Sequence, residues 1–235
     1  MSAGLTALTA MDRPATIPLS SAQSRLWFID QLDGPSGVYN RAVTLRLRGP
    51  LDVDALRLAL TDVIARHESL RTVFVASDGV PSQVVLPADR VDFGWRVTDS
   101  AGWTEARLDD AVAELAAYRF DLCAEIPIRT ELFSTSADEH TLVVVVHHIA
   151  GDGWSVSVLA ADLAVAYTGR RAGQPPRWAA LPVQYVDYTL WQRANLGDLE
   201  DGTSSLATQV RYWENALSGS PPLLELPTDR AYPAV

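Results

Sequence analysis

Two adjacent histidines, an aspartate four residues beyond the second and two flanking glycines follow a run of four valines at residues 143–155, VVVVHHIAGDGWS. A neutral imidazole has an unperturbed pKa of ~6.5 and accepts a proton near neutral pH, which makes one histidine of the pair a candidate general base. A base of this kind acts on an aligned nucleophile, and where an oxyanion develops the N–H of Gly153 is a candidate donor to it. Asp152 raises the question whether it orients an imidazole, as the acid of a Ser-His-Asp triad does. No GxSxG elbow accompanies it, which argues against a hydrolase with a nucleophilic serine. A glycine-rich phosphate loop is absent as well, so the activation energy of any group transfer has to arrive in the substrate.

Four consecutive β-branched residues favour a strand buried on both faces, and the glycine and aspartate after them break it into a turn. Successive side chains of a strand point to opposite faces, so one histidine is structural and the other is available to a ligand. Imidazoles that face apart cannot share a tetrahedral site, and no second His or Cys cluster lies nearby, so no metal is expected.

The remaining elements read as mixed strands and helices without strict alternation, which implies an α/β sandwich. Asp52 caps a helix whose apolar positions Val53, Leu56, Leu60, Val63 and Ile64 follow helical spacing and which runs into Arg66. Residues 41–48, 82–86, 91–97 and 126–133 read as strands, and residues 75–80, VASDGV, supply a hairpin turn. Residues 104–118, 156–167, 181–195 and 206–217 read as helices, the second closing at Gly169, while Ser155 starts it. Residues 1–16, rich in Ala, Thr and Ser without a clear period, read as linker.

The chain has 235 residues, 48% of them hydrophobic, enough for a sizeable core. A balance of 19 basic against 29 acidic residues gives a net charge of -10, which disfavours nucleic acid and anionic membranes as partners. Cys123 is the one cysteine; it excludes an internal disulfide, suits a reducing compartment, and flanks an apolar stretch that marks it as core. The valine run is too short to span a bilayer, and no basic region leads into a long apolar stretch at the N-terminus, so a cytoplasmic location is expected.

HHIAGDG reads as an HHxxxDG signature, and three other segments accompany it in order: SAQSRLWF at residues 21–28, RHESLRTVF at 66–74 and YVDYTLW at 185–191. Together they resemble the condensation domains of nonribosomal peptide synthetases, relatives of chloramphenicol acetyltransferase, from about residue 17 to the C-terminus. The resemblance implies a chloramphenicol acetyltransferase-like two-layer sandwich, and specifically the N-terminal lobe of a two-lobed domain, residues 17–235. Motifs of the second lobe, such as VGxFVNT, do not occur, and LELPTDR at residues 224–230 resembles the stretch that leads toward that lobe. A fragment or truncated product is therefore expected, with residues 1–16 the remnant of a linker from an upstream carrier protein.

The implied reaction is peptide bond formation, in which the amine of an acceptor attacks a thioester of a donor. Both are held on the phosphopantetheine arms of peptidyl carrier proteins, with no bound cofactor. His148 takes the family's place as general base or as the group that positions the amine, and His147 is structural. Asp152 is implied to pair with an arginine and to hold the loop, with Arg66 and Arg71 as candidate partners. Ser21, Gln23 and Arg25 belong to the opening motif and are candidates for the substrate channel. Trp154 is another channel candidate, whereas Trp191 reads as core. Arg170 and Arg171 are candidates for a local basic patch that meets a carrier protein. The text after the histidines lacks the DGVSWR of epimerisation domains and the DxxxxDxxS of heterocyclisation domains, while residues 32–39, LDGPSGVY, resemble domains that join a D-configured donor to an L-configured acceptor. Two alternatives remain: a carrier-binding half-domain without turnover, and a standalone acyltransferase that uses acyl-CoA.

Overall fold

Residues 139–147 form the strand at the centre of the molecule because nearly every one of them, valines included, finds apolar cover on both faces. In the computed structural model, which describes residues 6–221, 227, 229 and 230, the elements run β1 (Ile17–Pro18), α1 (Ser21–Asp33), β2 (Asn40–Arg48), α2 (Val53–Arg66), β3 (Thr72–Ser77), β4 (Val80–Val85) and β5 (Arg96–Asp99). They continue with α3 (Glu105–Ala116), β6 (Ile128–Ser134), β7 (Glu139–His147), α4 (Gly153–Arg171), α5 (Tyr185–Leu196) and α6 (Ser205–Ala216). One sheet has the order β2-β7-β6-β5, antiparallel except for the parallel β5–β6 pair, and a second has the antiparallel order β1-β4-β3. The chain divides into two units, 1–192 and 193–235; α6 belongs to the second, and the two sheets lie in the first.

Two apolar clusters cover the larger sheet. Leu56, Leu60, Val63 and Ile64 of α2 pack with Leu132, Leu142 and Val146 of the sheet and with Leu159 and Leu163 of α4. Val143 and Val145 point the other way, into a cluster with Phe120, Phe133 and Leu115. Each fully buried Leu or Phe is worth roughly 1.5–3 kcal/mol relative to exposure, so the valine strand is fixed from both sides before any chemistry begins at its end. The two layers of cover confirm the α/β architecture and the doubly buried strand.

Local signals set the element ends. Asp52 accepts a hydrogen bond from the Ala55 N–H at 2.9 Å and caps α2. Asp78 and Gly79 both adopt positive φ, 51° and 79°, as the two-residue turn of the β3–β4 hairpin requires. The expected strand at 91–97 is shorter: β5 starts at Arg96 because the Asp92 carboxylate takes the Gly94 N–H at 2.8 Å and turns the backbone away. The helix after the histidines is longer than its apolar pattern. It starts at Gly153 rather than near Ser155 and passes through Gly169 to Arg171. Gly169 is not a cap; a β-carbon there would lie 3.2 Å from the Gln174 carbonyl oxygen.

Cys123 is exposed, contrary to the core expectation, because Leu122 is the residue of this turn that points inward. Arg170 is engaged by Asp62 through two contacts of 2.6 Å and is not free for a basic patch, whereas Arg171 is exposed beside the Tyr167 ring. Within the segment read as linker, residues 1–5 lie outside the described residues, but its second half is anchored. The Met11 N–H reaches Asp187 at 3.1 Å, Arg13 meets Glu68 at 2.9 Å, and the Thr6 carbonyl accepts from the Trp191 indole at 2.6 Å. Trp191 is half-buried rather than core. Residues 224–226 and 228 of the LELPTDR stretch lie outside the described residues.

Candidate active site

β7 ends at His147, whose residue partner on β2 is Asn40. Strand alternation puts the His147 ring with Val143 and Val145 in the apolar layer, 3% exposed, edge-on to Phe120 with ring centroids 6.1 Å apart. Its Nδ1 accepts the Ile149 N–H at 3.1 Å, so the hydrogen of the neutral ring sits on Nε2. Burial, and secondly the charge of its neighbour His148, push the His147 pKa down to about 4. This imidazole is buried and neutral at neutral pH.

His148 lies one residue past the strand and is half-buried. Its backbone N–H donates to the Tyr39 carbonyl at 2.8 Å, which fixes the main chain. Nδ1 is 2.9 Å from the Gly151 carbonyl oxygen, an atom that can only accept; the hydrogen is therefore on Nδ1, and in the neutral ring the lone pair falls on Nε2. No hydrogen bond engages Nε2 among the described residues. His148 borders a cavity of about 520 Å³ whose polar lining includes Gln23, Arg25, Tyr39, Ser69 and Tyr185. The arrangement provides a fixed imidazole with a free acceptor atom at a cavity large enough for a substrate.

The other candidate residues divide. Gln23 and Arg25 line this cavity, and Gln23, 2% exposed, also completes the capping box of α1 by accepting the Ser20 N–H at 3.0 Å. Ser21 is exposed and does not line it; its N–H donates to Gln192. Trp154, the second residue of α4, is 81% exposed and does not line this cavity. Gly153 opens α4, while Ala150 and Gly151 are the backbone neighbours of His148 that border the cavity.

Asp152 is the N-cap of α4. Its carboxylate accepts from the Ser155 N–H at 3.0 Å and the Ser155 hydroxyl at 2.8 Å, and these hydrogen bonds lower its pKa. The expected ion pair with Arg66 or Arg71 is not formed. Arg66 bonds Asp162 at 2.9 Å and the Ala179 carbonyl at 2.7 Å, and Arg71 bonds the Leu86 carbonyl and approaches Glu68. The reason lies in the helix register: α2 faces the middle of α4, where Asp162 is, and not its first residue. Among the described residues no group of three His, Cys, Asp or Glu is placed to hold a metal ion. No helix among them is long and apolar enough to cross a membrane.

Tyr39, Ser69 and Tyr185 were not singled out from the sequence as site residues. All three do lie inside segments already described, and that was their only signal.

Comparison with known proteins agrees with this geometry. The chain is 60% identical over 228 residues to the isonitrile lipopeptide synthase of Mycobacterium tuberculosis (strain ATCC 25618 / H37Rv), covering 97% of this chain and 9% of that protein. The X-domain from teicoplanin biosynthesis, solved in complex with OxyB, superposes with a TM-score of 0.87 at 39% identity over 99% of this chain and 50% of that one. The first condensation domain of the CDA synthetase shares the fold, with a TM-score of 0.72 at 23% identity over 91% of this chain and 53% of that one. The chain thus spans less than a tenth of the curated relative and about half of the solved domains. With its histidine pair at the end of a doubly buried strand and a match to the condensation domain profile over residues 14–235, the chain belongs to the condensation domain family.

Proposed function

We propose that this chain is the N-terminal lobe of a peptide-bond-forming condensation domain of a nonribosomal peptide synthetase. The acceptor's amine attacks a donor thioester, both delivered on phosphopantetheine arms of carrier proteins. The single observation that carries this reading is His148, tethered through Nδ1 to Gly151 with Nε2 unengaged at a cavity of about 520 Å³. An imidazole so held accepts a hydrogen bond from the attacking ammonia-type nitrogen, aligns it, and takes its proton as the bond forms. Arg25, in the lining of the same cavity, supports recognition of a polar arm. A donor channel and an acceptor channel need two walls, so turnover requires the second lobe of the domain.

A second reading has its own support: the teicoplanin X-domain, which this chain resembles over 99% of its length, is solved in a complex with OxyB. In this reading the lobe is a platform for a partner protein without turnover. The deciding experiment is intact-protein mass spectrometry of peptide transfer between loaded carrier proteins, with the second lobe present and His148→Ala as control. Transfer that needs both His148 and the second lobe supports the condensation reading. Lobes that associate and bind carriers yet transfer nothing leave the docking role and overturn the catalytic one.

A further inference from the structure

In the lining of the His148 cavity, the hydroxyl hydrogen of Tyr185 has no acceptor among the described residues. The Tyr185 hydroxyl is 2.9 Å from the Ser20 hydroxyl, and on distance alone either is the donor. The surroundings decide the direction. Ser20 is 0% exposed, and its Oγ already accepts the Gln23 N–H at 3.2 Å. If Tyr185 donated to Ser20, the buried Ser20 hydrogen would be left without an acceptor among the described residues, a loss of about 1–3 kcal/mol. If Ser20 donates to Tyr185, every polar atom of Ser20 is satisfied and the Tyr185 hydrogen is left for the cavity that its side chain lines.

The ring is held for this purpose. Tyr185 is the first residue of α5, whose start is set by the buried carboxylate of Asp187 accepting the Gln184 N–H at 2.7 Å and the Met11 N–H at 3.1 Å. Its carbonyl accepts the Thr189 hydroxyl at 3.0 Å, and its ring packs on Tyr188 with centroids 5.4 Å apart. Burial raises the phenol pKa above its usual value and outweighs the lowering effect of the Ser20 bond, with smaller raising contributions from Tyr188 and Asp152, so the hydroxyl keeps its proton.

We propose that Tyr185 donates this hydrogen to the carbonyl oxygen of the donor thioester bound beside His148. The proposal rests on the condensation reading. In the step, the acceptor nitrogen bonds to the carbonyl carbon, and the π pair moves to the oxygen held by Tyr185. The tetrahedral adduct then collapses, the C–S bond breaks, and the pantetheine sulfur leaves with the proton that His148 took from the amine. A fixed donor whose hydrogen bond strengthens as the oxygen gains charge lowers the barrier without tightening ground-state binding.

The test is carrier-to-carrier transfer kinetics in a polypeptide that includes the second lobe, comparing wild type, Tyr185→Phe, Tyr185→Gln and His148→Ala, with thermal unfolding of each. Tyr185→Phe is expected to lower kcat about 100-fold, the size seen on loss of one oxyanion donor, with KM for the loaded carriers unchanged; its melting temperature falls modestly, because the buried Ser20 hydroxyl loses its acceptor. Tyr185→Gln, which restores a donor, is expected to regain part of that loss. A Tyr185→Phe enzyme with wild-type kcat overturns the proposal and leaves the condensation reading intact. A loss that appears in KM with kcat unchanged, or a loss of kcat with no recovery in Tyr185→Gln, assigns the residue to packing and overturns it too. Absence of His148-dependent transfer in wild type removes the condensation reading itself and this proposal with it.

Discussion

His147 and His148 are neighbours in sequence, yet one ring is sealed against Phe120 and the other borders a cavity. The pKa of about 4 for His147 makes a measurable consequence. As pH falls through ~6.5 the unfolded chain takes up a proton at this residue and the folded chain does not until about pH 4. The contribution is therefore fully present above pH ~6.5 and is lost progressively down to about pH 4, about 3 kcal/mol in all. Urea unfolding across this window is expected to show the slope in wild type, and His147→Gln is expected to lack it. That the two rings face different surroundings was legible from strand alternation alone. The partner of Asp152 was not, because an ion pair depends on where two helices cross, and spacing along one strand carries no such information. Since Asp152 is an exposed cap, Asp152→Ala is expected to fold and to lose only about 1 kcal/mol, read by urea denaturation.

The contact between α2 and α4 carries a partly buried charge cluster. Asp162 accepts Arg66 at 2.9 Å and His67 at 2.7 Å, with all three side chains 13–18% exposed. Asp162→Ala leaves Arg66 without its carboxylate and is expected to cost about 3 kcal/mol, more than Asp152→Ala, in the same denaturation measurement. Equal losses in the two variants would mean that the helix pair does not depend on this cluster. The apolar face and the cap of α2 were readable because they repeat at helical spacing next to a capping residue. The start of α4 was not, since Gly153 and Trp154 carry no apolar period: the helix begins there because Asp152 and Ser155 satisfy each other's backbone N–H groups in a capping box. The start of β5 was hidden for a similar reason, an Asx turn at Asp92 interrupting an otherwise strand-like composition.

At the scale of the molecule, the fold class and the family followed from motifs in order, whereas the role of the N-terminal stretch did not. Its composition is that of a linker, and composition says nothing about backbone hydrogen bonds to distant side chains. In the structure, residues 6–18 lie along the first unit through the Thr6 carbonyl, the Met11 N–H, Arg13 and the β1–β4 pairing. Asp187, 4% exposed, would lose one of its two backbone donors and the nearby Arg13 guanidinium, at 3.9 Å, if this stretch were removed, and Glu68 would lose its 2.9 Å partner. Hydrogen bonds to charged groups are worth about 1.5–3 kcal/mol each when buried, and tolerance to truncation follows burial rather than sequence position. A chain that begins at Thr16 is therefore expected to unfold about 3 kcal/mol more easily than the full chain in urea, and Arg13→Ala to show about a third of that loss. A freely attached linker predicts no change in either variant. Because Asp187 also sets the start of α5, the truncated chain is further expected to loosen Tyr185, which amide hydrogen exchange at residues 185–189 would register as faster exchange; unchanged exchange together with unchanged stability would return these residues to the role of a spacer.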